Sequence, residues 1–170
     1  MKKLPIKGTR WLKTIHLVTV CMWVGGAASL LLIFFLSKPA NGDELYGVNL
    51  AMKMVDDFAI IPGALGNICV GIIYGIWTKW GFFRHRWITV KWIMTIVQAL
   101  FGTFFLGPWL NSNVAIAARL RDTAFTDPQF LYNQQMNSIF GIIQLSLLLV
   151  MVWISVFKPW KSKRQTSKAG

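Results

Sequence analysis

The sequence predicts an all-α polytopic membrane protein, a bundle of four transmembrane helices with both termini cytoplasmic. Three observations predict it. Of 170 residues, 55% are hydrophobic and only 14% charged, a balance that suits contact with lipid better than a water-soluble surface. Four apolar stretches, 11–36, 58–78, 87–107 and 139–157, reach the about 20 residues that cross a hydrocarbon core of about 30 Å. Backbone groups there find no water, so continuous runs of that length are helices.

The third observation is the distribution of charge. The formal net charge of +12 would suit nucleic acid if it formed one patch. Instead Lys2, Lys3, Lys7, Arg10 and Lys13 precede or open the first span. Lys79, Arg84, Arg86 and Lys91 surround the second connection, and Lys158, Lys161, Lys163, Arg164 and Lys168 end the chain. In a four-span protein these regions share one side. The other side carries Lys38, Lys53, Arg119 and Arg121 with all six acidic residues. The positive-inside rule then places both termini in the cytoplasm of a cell whose inner membrane holds the protein. The partner this charge implies is the lipid bilayer, with attraction to anionic headgroups, and nucleic acid is excluded. Trp11, Trp77, Trp80, Trp87, Trp92, Trp153 and Trp160 cluster near the same ends of the spans, as an interfacial aromatic belt does.

Residues 1–160 form a single transmembrane domain, and the basic tail 161–170 is expected to be disordered. The first span begins like a signal peptide, with lysines, an apolar stretch and small residues at Gly25 to Ser29. The apolar run continues through Leu36, past a normal signal length, so an uncleaved span is expected. After it, Leu45, Val48, Met52, Val55 and Ala59 recur at helical spacing. The second span is therefore expected to start as an amphipathic helix outside the membrane and to enter it near Pro62-Gly63. A short connection makes spans two and three antiparallel neighbours. A short helix is expected near 114–120. Asp127-Pro128 reads as an N-cap followed by proline at the first helical position, so the fourth helix should start there and project above the bilayer. Cys21 and Cys69 fall inside spans without a C-x-x-C motif and read as buried thiols rather than a disulfide framework.

Each span carries one polar or small-residue stripe at helical spacing: His16, Val20, Trp23 and Ala27; Gly63, Asn67, Gly71, Tyr74 and Thr78; Lys91, Thr95, Gln98 and Gly102; Asn137, Gly141, Gln144, Met151 and Ser155. Facing lipid, such side chains would go unsatisfied, so the stripes should turn toward one another. Two readings of this seam stand side by side. It is interhelical packing, with Gly71-x-x-x-Gly75 allowing close approach, or it walls a cavity for a cofactor or hydrophobic substrate. A glycine-rich second span also suits a homodimer.

Chemistry concentrates on His16, an ionisable side chain within a span. Lys91 lies at a similar depth, about 6–8 Å from the inner surface at 1.5 Å per residue. The plain readings are a hydrogen-bonded interior histidine, a lysine that snorkels to the headgroups, and for His85 a solvated loop residue. A neutral imidazole also ligates haem iron or copper, which makes His16 the candidate metal ligand. Copper is the weaker fit, because the side chains of Met52 and Met54 diverge by roughly 160° on a helix. Paired carboxylates, H-E-x-x-H, P-loop and nucleophile-elbow patterns are missing from the spans, which leaves membrane hydrolases and ATPases without support.

Lys13-x-x-His16-Leu17 followed by Trp23-Val24-Gly25-Gly26 resembles the first helix of a group of small bacterial membrane proteins. That group includes copper-resistance D-type membrane domains, HemJ-type protoporphyrinogen oxidases and an uncharacterised family of short four-helix integral membrane proteins. Overall length and residues 57–71, with Pro62-Gly63, look most like the uncharacterised family. The HemJ-type family pairs a first-helix histidine with a lysine four residues after a tryptophan, a spacing that Trp87 and Lys91 match. The resemblance implies haem b and a haem-dependent membrane oxidoreductase, with His16 as ligand and Lys91 as catalytic residue or propionate contact. Trp23, Lys91, Gln98 and Gln144 would complete the cofactor site. That family's arginine and Tyr-His pair have no counterpart in 27–35. The alternative is a non-enzymatic membrane protein, copper-handling or partner-binding, in which His16 and Lys91 are structural.

Overall fold

A computed structural model describes residues 4–78, 81–82 and 85–160, all helix and short connections with no strand among them. The expectation for the tail 161–170, and the basic residues Lys79 and Arg84, lie outside the described residues. Six α-helices follow in chain order: α1 Ile6–Leu36, α2 Gly42–Val55, α3 Ile61–Trp77, α4 Arg86–Phe101, α5 Gly107–Leu120 and α6 Pro128–Phe157. A π-helical turn, Asp56–Ile60, welds α2 to α3, and a second, Gly102–Leu106, welds α4 to α5. A 3₁₀ stretch, Arg121–Thr126, leads into α6. Four helical rods result, each long and apolar enough to cross a membrane: Ile6–Leu36, Gly42–Trp77, Arg86–Thr126 and Pro128–Phe157.

The two composite rods are longer than a bilayer needs. Gly42–Trp77, with 36 residues, would extend about 54 Å at 1.5 Å per residue, against a hydrocarbon core of about 30 Å. The excess lies at the end of the bundle opposite the chain termini, here called the distal end. There α2, α5 and the start of α6 pack into a cap. Its core is Leu45, Ile116, Ala117, Ala124 and Phe130. The amphipathic start of the second rod is thus present as expected. The helix anticipated near 114–120 is the end of the longer α5, and the third rod continues past residue 107 instead of ending there.

Both π turns have the same local cause. Ile61 N–H reaches back five residues to the Asp56 carbonyl, and Gly107 N–H reaches the Gly102 carbonyl. In each case the next residue is a proline, Pro62 or Pro108. Proline has no N–H and crowds the carbonyl four residues back. Widening the preceding turn by one residue relieves that crowding without breaking the rod.

Chain reversals at the distal end are capped. Asn41 accepts from Glu44 N–H at 2.9 Å, and Asp127 from Phe130 N–H at 2.8 Å, satisfying otherwise orphan helix donors. The second cap is the one that Asp127-Pro128 foretells. Across the cap, Gly42 N–H donates to Asp122 at 2.6 Å, and Arg121 pairs with Asp43 at 3.2 Å while its guanidinium covers the Tyr46 ring at 4.6 Å. Gly42 lies so close to the Arg121–Asp122 backbone that a β-carbon there would overlap it.

Between the spans, α1 packs on α3 through glycines. A β-carbon on Gly63 would stand 2.6 Å from Trp23 N, and one on Gly66 would strike the Thr19 side chain. Gly71 and Gly75 behave differently from the close-approach role their spacing suggests. Each receives an aromatic ring, Trp92 of α4 at Gly71 and Phe82 of the connection before α4 at Gly75. Cys21 and Cys69 are exposed on the bundle's outer surface rather than buried. In a lipid-facing helix the outer face is itself apolar, so a thiol needs no interior position there.

Candidate functional site

The four polar stripes do turn inward, and they divide into two neighbourhoods along the bundle axis. A layer of Trp23, Leu148 and Met151, with Met94 and Ala64 packed against it, separates them. Trp23 is 3% exposed, which is why an indole lies so far from the aromatic belt: it fills the centre of the bundle.

On the side of the chain termini lie His16, Tyr74, Lys91 and Ser155. The His16 and Tyr74 rings meet edge to face with centroids 6.1 Å apart. Lys91 donates to the Ser155 hydroxyl, which itself donates to the Met151 carbonyl at 2.7 Å. Lys91 is therefore engaged with α6, unlike a lysine that simply snorkels. His16 Nδ1 is buried without a hydrogen-bond partner, so the plain reading of a satisfied interior histidine does not hold at that nitrogen. His85 precedes α4 as its N-cap residue and stacks on Trp87 at 6.3 Å. It belongs to the end of the bundle, at the start of α4. Among the described residues, His, Cys, Asp and Glu side chains form no group of three that could hold a metal ion.

On the distal side of the layer is a chamber of about 480 Å³, walled by all four rods. Its closed end is formed by Trp23, Ile68, Gln98 and Gln144, and its mouth by Met52, Asp56, Asp57 and Asn111. The wall follows α1 from Trp23 to Phe34, about 16 Å at 1.5 Å per residue. Both π turns contribute to it, through Asp56, Asp57 and Ile60 on one and Gly102, Thr103 and Leu106 on the other. Widened turns frequently mark functional sites, and here they bow two rods around the same space.

Most of the lining is apolar, and some of its polar groups are held by hydrogen bonds. At the mouth Lys53 holds both carboxylate oxygens of Asp57, at 3.0 and 2.8 Å. One orientation of the Asn137 amide donates to the Leu106 carbonyl at 3.2 Å and accepts from Leu110 N–H at 3.1 Å. That bond secures the backbone where the second π turn ends. At the closed end, Gln98 Nε2 donates to Met151 Sδ at 3.8 Å, a sulfur that Thr95 also approaches at 3.7 Å. Gln98 Oε1 is buried with no partner.

Of the candidate cofactor residues, Trp23, Gln98 and Gln144 line the chamber, whereas His16 and Lys91 do not. The stripes converge as their spacing indicates, but the site they suggest divides at the Trp23 layer. Periodicity shows which face of a helix turns inward and not which depth is filled. Sequence reading missed the chamber's mouth, whose signals are the two X-Pro pairs, Ile61-Pro62 and Gly107-Pro108. The chain matches no protein-family profile, no curated protein and no solved structure.

Proposed function

We propose that this chain is a multi-pass membrane protein that holds a small, largely apolar molecule between its spans. One observation carries the reading: a chamber of about 480 Å³, walled by all four rods and lined mainly by aliphatic and aromatic side chains with a few polar groups. That size and lining are those of small-molecule sites, and seams between bundle helices are where such sites are built. Gly102→Leu tests it. A β-carbon at Gly102 meets only Gln144 Nε2, at 3.6 Å, so the larger side chain grows into the chamber without striking backbone. Native mass spectrometry of the full chain, purified in mild detergent, should find a retained small molecule in the wild type and none in Gly102→Leu. Equal occupancy in both proteins would sink the reading.

A second reading has its own observation, the unpartnered His16 Nδ1. In it, His16 ligates haem b and Lys91 carries a propionate contact or a proton path, in an oxidoreductase of the HemJ type. The fit is incomplete. His16 lies across the Trp23 layer from the chamber and is not among its lining residues. The haem would supply electron transfer; the chain's own part would be to hold the macrocycle edge beside Tyr74 and Lys91. A Soret band lost in His16→Ala supports this reading, and a protein still colourless after haem reconstitution removes it. Copper handling finds only His16 as a ligand and is tested by metal analysis of the same sample.

The orientation we infer has both termini in the cytoplasm and the acidic cap outside, in the inner membrane, supported by the charge asymmetry. A C-terminal reporter active only outside the cytoplasm should stay silent.

A further inference from the structure

The chamber carries a charge that its own walls do not balance. Asp56 and Asp57 line it, and among the described residues no lysine, arginine or histidine does. Lys53 is committed to Asp57, holding both of its carboxylate oxygens. Asp56 is half-buried, and among the described residues its carboxylate takes part in no ion pair or hydrogen bond. A carboxylate drawn partly out of water is stabilised by a cation that also donates to it.

A second polar group opens on the same space. Gln144 is 8% exposed and lines the chamber. It makes no hydrogen bond among the described residues, yet neither of its amide atoms is sealed off, in contrast to Gln98 Oε1. Its Nε2 stands 3.6 Å from where a β-carbon on Gly102 would be, and Gly102 also lines the chamber. Packing between the rods gives the depths. Gly63 abuts Trp23, so Asp56 lies about 10 Å beyond the Trp23 layer at 1.5 Å per residue. Gly141 meets the Leu31 side chain, which places Gln144 about 7–8 Å beyond the same layer. Because α1 and α4 each pack on both α3 and α6, Asp56 and Gln144 sit on diagonal rods at nearly one level. Beyond that level the lining is mainly apolar on either side, with Phe34, Met52 and Leu110 toward the cap and Trp23, Ala64 and Ile68 toward the termini.

We propose that the chamber takes an amphiphilic organic cation, a protonated amine on a compact apolar body. Its ammonium donates to the Asp56 carboxylate, and Gln144, at the same level, offers its amide oxygen to a remaining donor. The apolar body fills the space above the Trp23 layer. A neutral or anionic molecule of the same shape lacks the charge that Asp56 calls for. This rests on the chamber reading above and names the charge class of its ligand.

The test uses 4-butylbenzylamine and 4-butylbenzyl alcohol, which share a body and differ in the ammonium. Each is dialysed to equilibrium between the full chain in detergent micelles and matched empty micelles, so that partition into detergent cancels. The wild type should bind the amine about tenfold more tightly, the scale of a hydrogen bond to a charged group. Asp56→Asn keeps the shape and should bring that ratio to about one, while Asp56→Glu should retain the preference. Gln144→Met should weaken the amine about threefold. Gly102→Leu should abolish binding of both probes. Equal binding of the two probes to the wild type overturns the cationic class, and this arm stands even if Asp56→Asn does not fold. A preference undiminished in Asp56→Asn, or amine binding untouched by Gln144→Met, overturns the site. In each of these cases, binding that Gly102→Leu removes leaves the chamber reading intact. Binding of neither probe, or binding that Gly102→Leu does not reduce, overturns both.

Discussion

The distal cap and the middle of the bundle are built from the same rods and packed on opposite principles. In the cap, Ala117 and Ala124 are fully buried and Phe130 is 1% exposed, with a glycine pressed against backbone and a hydrogen bond across the cap from Gly42 N–H to Asp122. About 10 Å below, at 1.5 Å per residue, the same rods line about 480 Å³ of space. Interiors are normally filled to crystal-like density, so an opening of this size needs something else to hold its walls in place. The cap does that at one end and the Trp23–Leu148–Met151 layer at the other. The difference teaches that order and vacancy are distributed deliberately along the axis, with the ends clamped and the middle left open.

The comparison can be broken most directly at Phe130. Phe130→Ala should cost about 3–5 kcal/mol and loosen the cap, seen as a large drop in unfolding temperature and early proteolysis within 107–130. A loss no larger than that of an exposed substitution would mean the cap is not the clamp. Gly63→Val comes next. Its side chain would push α1 from α3 at Trp23 N, and overpacking of this kind costs about 1–3 kcal/mol. The same assay should show the shift, with a change in Trp23 emission. Asp127→Ala removes the cap that accepts from Phe130 N–H and should cost about 1 kcal/mol, while Asp127→Asn should recover most of it. Gly102→Leu should change stability least, within about 0.5 kcal/mol, because it fills space that packing does not use. A strongly destabilised Gly102→Leu would show that the middle is as tightly packed as the cap.

Much of this arrangement is legible in the sequence, and the remainder has identifiable reasons for being hidden. Apolar run length gives the four rods, and Asp127-Pro128 gives the start of α6, because both depend on local physics. The inward stripes follow from 3.6-residue periodicity, which puts His16, Trp23, Lys91, Gln98 and Gln144 on inward faces together. Depth is another matter. His16 belongs to the same face as Trp23 but lies beyond the layer Trp23 completes, and only tertiary packing decides where that layer falls. Gly71 and Gly75 look like a helix-contact motif, yet the aromatic residues that occupy them, Trp92 and Phe82, come from elsewhere in the chain. The exposed Cys21 and Cys69 show the converse limit: in a lipid-facing helix, hydrophobicity does not distinguish inside from outside.

The two π turns carry a consequence for how the rods can change. Each holds one more residue than an ordinary helical turn, so everything beyond it is rotated by roughly 100° relative to an unbroken α-helix. The face that α2 offers the cap and the face that α3 offers the spans are set independently along one continuous rod, as are those of α5 and α4. Deleting a single residue from Asp56–Ile60 would leave every side chain of α2 unchanged in identity and turn Leu45 and Met52 away from their neighbours. In this molecule the bearing of a helix is stored as chain length, one residue at a time.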